Sequence, residues 1–308
     1  MAPPPGAGSN SALLGVALSL LASAMNATGL NLQKLGQRAG AAAWLNGAGI
    51  ALAALSGVVD MVSFGFAPQS LLAPLSAFTL ICNLALAPVL QGEQLSQTDL
   101  VATAMVCGGI AVTLSSAPGG SPAYSARELW ALARRPLFVS FLAAYVSVGA
   151  ALAGRARALV RRAARDAGKG RAPPRASLAD MVVLPMLSGM LGGMTVLSAK
   201  LVTELLKLTS LASHWYAIVP LALLLAVCAV SQTAVLNVGL GRHSSLFVVP
   251  VFSATMLLCN LGAGGVFFDE FSRFSRAQLT GFLLGVSIVV AGVGSLAAQG
   301  HAHAAKKE

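Results

Sequence analysis

Charge is scarce in this chain. Asp, Glu, Lys and Arg make up 10% of its 308 residues, where soluble domains carry about 25%. So little charge cannot cover a water-facing surface, which argues against a soluble enzyme. Cysteine is sparse as well. Cys82, Cys107, Cys228 and Cys259 each lie inside an apolar stretch, with no CxxC and no nearby His. That pattern gives neither a disulfide framework nor a zinc site and reads as small packing residues. The four histidines, His214, His243, His301 and His303, fall at helix edges or in the tail. HExxH, GxSxG and the P-loop are all missing, so no catalytic constellation and no cofactor is expected. The first apolar run has no basic segment before Ala12 and is read as a retained helix rather than a cleaved signal peptide.

Apolar sequence is what the chain has in quantity. It is 56% hydrophobic, with a mean hydropathy of +0.78. Nine apolar spans fall at 12–33, 44–64, 68–91, 97–115, 137–153, 181–203, 214–239, 244–268 and 276–298. Most run to about 20 residues, which crosses a hydrocarbon core of about 30 Å; the fifth is the shortest. The expected fold is an all-α integral membrane protein of about nine transmembrane helices. Residues 1–11 read as a flexible start, 12–298 as one polytopic membrane domain and 299–308 as a polar tail. Gly108-Gly109, Gly192-Gly193 and Gly262, Gly264 and Gly265 are expected to let helices approach closely.

Two of the spans repeat each other. Ser76-Ala77-Phe78-Thr79-Leu80-Ile81-Cys82-Asn83-Leu84 returns as Ser253-Ala254-Thr255-Met256-Leu257-Leu258-Cys259-Asn260-Leu261, identical at six of nine positions. A glutamate follows each asparagine by ten residues, Glu93 and Glu270. Internal duplication is the usual construction of secondary transporters.

The basic residues set an orientation. With the N-terminus outside and nine crossings, thirteen Lys and Arg fall inside and six outside, and Lys200 stays in the membrane. Eight of the thirteen lie between Arg155 and Arg175, within a stretch read as a basic cytoplasmic loop over 154–180. A loop of this kind obeys the positive-inside rule and needs no nucleic acid to explain it, because no aromatic residue is interleaved for base stacking. The third and eighth spans then run in opposite directions. The first four helices and the last four form an inverted repeat.

Polar residues inside spans tend to face partners or a wet cavity. Ser19, Ser23, Asn26 and Gln33 form a stripe in the first span, with Asn31 beside it. Ser56, Asp60 and Ser63 share a face of the second. Ser76, Thr79 and Asn83 share a face of the third, and Ser253 and Asn260 repeat it in the eighth. The seventh carries Gln232, Thr233 and Asn237. Each alone is explained by hydrogen bonding between helices; together, from five helices, they point to a polar path. Lys200 and Glu204 sit at i and i+4 and can pair. Asp60 has no such local partner, and an unpaired carboxylate inside a span is a functional-site candidate. Asp60 is therefore the candidate metal contact. The path is read as Asp60, Asn26, Asn31, Ser76, Thr79, Asn83, Lys200, Gln232, Asn237 and Asn260. Glu93 and Glu270 are candidate gate ends.

Four stretches of this chain resemble the NIPA-type magnesium transporter family, within the drug/metabolite transporter superfamily. Phe66-Ala67-Pro68 through Pro74-Leu75-Ser76-Ala77 looks like that family's FAPxxLxxPLxA entry to the third helix. Gly92-Glu93-Gln94-Leu95 matches its short turn, and Ser198-Ala199-Lys200-Leu201 its lysine segment. Gln232 to Leu240, followed by Pro250, resembles its QxxxLNxAL segment. Asp60, three residues after Gly57, takes the place of the acidic residue the family often carries in the second helix. The resemblance implies a multi-pass carrier of divalent cations, most of all Mg²⁺. Mg²⁺ keeps several waters and so needs few carboxylates and many polar oxygens. A drug/metabolite-type carrier of a small organic, possibly anionic, solute is the alternative reading, with Lys200 as its counter-charge. The expected partners are the transported ion and the lipid bilayer, with oligomerisation open and nucleic acid excluded. The plasma and endosomal membranes are both open.

Overall fold

The computed structural model describes residues 7–37, 42, 44–66, 78–92, 96–116, 124–169, 177–207, 211–269 and 274–306. Ser76, Glu93 and Glu270 lie outside them. Among the described residues the regular structure is entirely helical: α1 (Ala7–Gly36), α2 (Trp44–Phe66), α3 (Phe78–Gln91), α4 (Gln97–Ser115), α5 (Ala126–Ala133), α6 (Pro136–Gly168), α7 (Leu178–Met181), α8 (Val183–Lys207), α9 (Leu211–Arg242), α10 (Ser245–Phe267) and α11 (Arg276–Lys306).

Among the described residues, six stretches are long and apolar enough to cross a membrane: Leu13–Gly36, Trp44–Ser63, Pro136–Asp166, Ala179–Leu206, Trp215–Arg242 and Phe247–Phe267. Phe78–Leu90, Gln97–Thr113 and Arg276–Gly292 are apolar but shorter. Pro88, Pro220 and Pro250 sit inside α3, α9 and α10, a placement that membrane helices tolerate.

Several helix starts are written in the sequence. At α4, the Ser96 amide donates to Asp99 Oδ2 at 3.0 Å and the Asp99 amide to Ser96 Oγ at 3.1 Å. Ser125 and Glu128 make the same reciprocal pair at α5, and Ser275 and Gln278 make it at α11. Each pair satisfies two backbone donors that a helix start leaves open.

The fifth span differs from its sequence outline. Residues 154–168, read as the start of the basic loop, continue α6, which runs unbroken for 33 residues. Between Arg155 and Ala167 the chain is rich in Ala and Arg, both strong helix formers, and holds no Gly or Pro. Arg155 is fixed there by Asp180, with Nη2 2.7 Å from Oδ1.

The chain divides into two compact units. Unit 1 contains α1 to α4, the first half of α10 and most of α11. Its helices meet at glycines. A Cβ on Gly29 would lie 2.8 Å from the Gly49 oxygen, and one on Gly49 2.6 Å from the Gln33 nitrogen, so α1 and α2 touch backbone to backbone. Gly109 of α4 meets α11 in the same way, 2.8 Å from the Gly285 oxygen, whereas Gly108 faces open space.

Unit 2 contains α5 to α8, most of α9 and the second half of α10. Its core gathers Tyr124, Phe138, Leu197, Leu205, Phe267 and Phe268. Phe138 and Phe267 pack edge to face at 4.8 Å, a favoured aromatic geometry. A Cβ on Gly192 would sit 2.8 Å from both Gln232 Oε1 and Met256 Sδ, so α8, α9 and α10 converge there.

Candidate functional site: a polar column along α1

Within unit 1 the polar stripe of α1 finds partners over most of its length. Ser19 Oγ donates to Asp60 Oδ1 at 3.2 Å. Ser63, one turn beyond Asp60, donates to the Asp60 backbone oxygen at 2.6 Å and reaches Oδ1 at 3.4 Å. The ion pairs of Arg135 with Asp269 and of Arg155 with Asp180 do not involve Asp60. Asp60 is thus held by hydroxyls and not by a base, and it is only partly buried. It keeps acceptor capacity for a cation or water, because two hydroxyls do not saturate a carboxylate.

One turn along α1, the Ser23 carbonyl accepts from Thr79 Oγ1 of α3 at 3.4 Å. Further on, Asn31 Nδ2 donates to Asn83 Oδ1 at 3.0 Å and to the Ala27 oxygen at 2.9 Å. Asn83 Nδ2 passes the chain on to the Ser245 carbonyl at 3.4 Å, at the start of α10. Gln33 Nε2 reaches the Gly49 oxygen of α2 at 3.3 Å. Gln33 Oε1 and Asn46 Oδ1 are buried acceptors with no hydrogen-bond donor among the described residues. At the end of α1, Lys34 Nζ donates to the carbonyls of Leu240 and His243 where α9 finishes. A cation on the last carbonyls of a helix is favoured by its dipole. From Ser19 to Lys34 the column spans fifteen residues, about 22 Å of helix.

His243 lies just beyond α9, outside the crossing segment. Its imidazole is pushed down to about 4, first by burial and then by the charges of Lys34 and Arg242.

Unit 2 holds the other described candidates. Gln232 accepts from Ser188 Oγ through its backbone oxygen at 2.9 Å, and its Oε1 lies 3.5 Å from Thr195 Oγ1. Asn237 and Asn260 are partly buried, and Asn260 Oδ1 is a buried acceptor with no donor among the described residues. Lys200 places its ammonium 3.9 Å over the Phe268 ring, a cation–π contact.

Asp60, Asn31, Thr79 and Asn83 therefore come together along α1 to α3, with Asn26 partly buried on the same helix as Ser19. The α1 partner of Asp60 is Ser19, and Asn83 pairs with Asn31. Asn46 falls in none of the polar stripes of the sequence, although an amide inside the second apolar span is itself a signal. In the sequence Lys34 carries only an orienting charge, because its acceptors lie more than 200 residues away in the chain. Among the described residues no three His, Cys, Asp or Glu side chains cluster as direct metal ligands.

Comparison with known proteins adds what geometry alone does not. The probable magnesium transporter NIPA8 of Arabidopsis thaliana is 27% identical over 260 residues, covering 81% of this chain and 57% of that one. The probable magnesium transporter NIPA6 of the same plant is 25% identical over 248 residues, covering 80% and 71%. The probable magnesium transporter NIPA3 is 26% identical over 240 residues, covering 76% and 60%. The chain thus spans little more than half the length of the first of these relatives. No solved structure matches. The family model described as magnesium transporter NIPA, a family of transporters rather than enzymes, matches residues 11–300, and the chain belongs to that family.

Proposed function

We propose that this chain carries Mg²⁺ across a membrane along the polar column of α1, α2 and α3. The single observation that carries the reading is Asp60, a carboxylate inside a crossing helix held by Ser19 and Ser63 with no basic partner among the described ion pairs. Mg²⁺ gives up its waters reluctantly. A hydrated ion presents water hydrogens outward, so it needs acceptor oxygens along its way and one negative charge to offset its own. Asp60 supplies the charge. Asn26, Asn31, Thr79 and Asn83 supply oxygens, and Gln33 and Asn46 add buried amide acceptors. Gln232, Asn237 and Asn260 offer the same chemistry on α9 and α10.

The topology proposed with it has nine crossings, the N-terminus outside and the C-terminus in the cytoplasm. The first four crossings and the last four form an inverted repeat, with Glu93 and Glu270 as gate ends. Beyond the repeated Cys-Asn-Leu segment, the helix after each copy, α4 and α11, opens on the same serine capping device. An anionic organic substrate has less support, because Lys200, its counter-charge, lies against Phe268 in the aromatic cluster.

The test is uptake into proteoliposomes holding the purified chain, with Mg²⁺ set against other divalent cations and small organic anions. Mg²⁺ uptake is expected in the wild type. Asp60→Asn keeps the shape and removes the charge, so it is expected to lose at least about ten-fold in rate, a loss of about 1.4 kcal/mol of stabilisation. Full Mg²⁺ uptake by that variant, or uptake of anions alone, overturns the reading.

A further inference from the structure

Unit 2 contains a groove that the proposed path does not use. It lies between α6, α8 and α9 and has a volume of about 830 Å³. Gly149, Ala150 and Ala153 form its α6 wall, and Leu187, Leu224 and Val235 lie on the other walls. One end carries two guanidinium groups, Arg157 and Arg161. These are one turn apart on the same helix face, exposed, and in no ion pair among the described residues. Their neighbour Arg155 is instead held by Asp180. Tyr145 also lines the groove, twelve residues before Arg157, and ties its hydroxyl to the Met190 carbonyl at 2.5 Å.

The dimensions fit one leaflet. Twelve residues of helix rise about 18 Å, against roughly 15 Å for half of a hydrocarbon core of about 30 Å. The 33-residue α6 is also too long to stay within the core, so its arginine-bearing end reaches the headgroup level. Small residues leave room along the α6 wall where larger side chains would fill it.

We propose that this groove binds one anionic phospholipid. An acyl chain lies along Gly149, Ala150 and Ala153, and the phosphate rests on Arg157 and Arg161. Guanidinium groups bind phosphate oxygens through paired, charge-assisted hydrogen bonds. A zwitterionic headgroup would bring its own cation beside the two arginines and lose most of that attraction. The inference does not depend on which solute the chain carries.

The test uses the full chain, delipidated in detergent. Binding is read by native mass spectrometry and by the shift of thermal unfolding. The probes are phosphatidylglycerol, phosphatidylcholine with the same acyl chains, and glycerol phosphate without chains. Phosphatidylglycerol is expected to bind about thirty-fold more tightly than phosphatidylcholine, from about 1 kcal/mol for each of two arginines. The paired variant Arg157→Gln, Arg161→Gln should erase most of that preference. Arg162→Gln with Arg165→Gln changes net charge equally but lies off the groove, and should keep it. Ala153→Phe should weaken both lipids by filling the chain site. Unfolding without lipid checks that each variant folds. Equal binding of the two lipids, or equal loss in both arginine pairs, overturns the proposal in favour of diffuse attraction by a basic segment. So does glycerol phosphate binding as tightly as the lipid. A lipid-independent dimer broken by Ala153→Phe would give the groove to a second copy of the chain, and also overturns it.

Discussion

Asn31 on α1 donates to Asn83 on α3 across 3.0 Å, joining two helices whose asparagines are 52 residues apart. Both side chains are buried, so each replaces water the other has lost. Asn83 is also the asparagine of the repeated Cys-Asn-Leu segment. The pair is therefore both a brace between helices and part of the proposed path.

The brace is measurable as a coupling. Asn31→Ala and Asn83→Ala should each destabilise the chain by about 1 kcal/mol, with a coupling of about 0.6 kcal/mol, the scale found for hydrogen bonds between membrane helices. Unfolding of the two single variants and the double variant in detergent measures it. Strict additivity would show that the contact contributes nothing.

Ser19 is expected to tune Asp60 and not to replace it. Ser19→Ala removes the hydroxyl that reaches Asp60 from α1 while leaving the charge in place. Mg²⁺ uptake should fall several-fold, by about 1 kcal/mol for one hydrogen bond, and remain well above the level of Asp60→Asn. Uptake by Ser19→Ala as low as that of Asp60→Asn would mean that the hydroxyl, not the charge, carries the site.

The contact between α1 and α2 predicts opposite outcomes for two glycines of one helix. Gly49→Ala puts a methyl 2.6 Å from backbone atoms of α1, so the helices must separate, at a cost of about 1–3 kcal/mol. Gly47→Ala meets nothing within 4 Å and gains helix propensity, so it should be neutral or stabilising by up to about 1 kcal/mol. Thermal unfolding of both variants checks the pair.

His243 gives the fold a pH dependence of known sign. Its imidazole ordinarily titrates at 6.5 and here at about 4, so the unfolded chain binds the extra proton between those values. Stability is fully present above 6.5 and falls as pH drops towards about 4. At pH 5.5 the loss should be about 1 kcal/mol. His243→Gln should remove that slope. Lys34→Met removes one of the charges that depress the imidazole, so it should narrow the window. An unchanged slope in His243→Gln would assign it to another group.

The proposed orientation is open to direct labelling. With Arg162→Cys and Ser121→Cys, an impermeant thiol reagent on intact cells should reach the second cysteine only. Labelling of the first from outside reverses the topology.

The sequence by itself determined the apolar spans, and with them the membrane class. A hydrocarbon core sets a minimum length for apolar sequence, and backbone groups in lipid must bond within their own helix. The same logic made the starts of α4, α5 and α11 readable, since a capping pair joins residues three apart in the chain. It also singled out Asp60, Asn31, Thr79 and Asn83 as a set of polar side chains that membrane helices seldom carry without cause. The run of α6 through Gly168 was legible in helix propensity, but its arginines read first as loop charge. Tertiary structure alone decided the pairing. That Ser19 rather than Asn26 reaches Asp60, that Asn31 meets Asn83, and that Lys34 finds the last carbonyls of α9 depend on how far helices rotate and approach. Those rotations are set by where glycines let backbones touch, as at Gly29 and Gly49. A contact between residues 206 apart, as between Lys34 and Leu240, leaves no mark in local periodicity, because no local interaction enforces it.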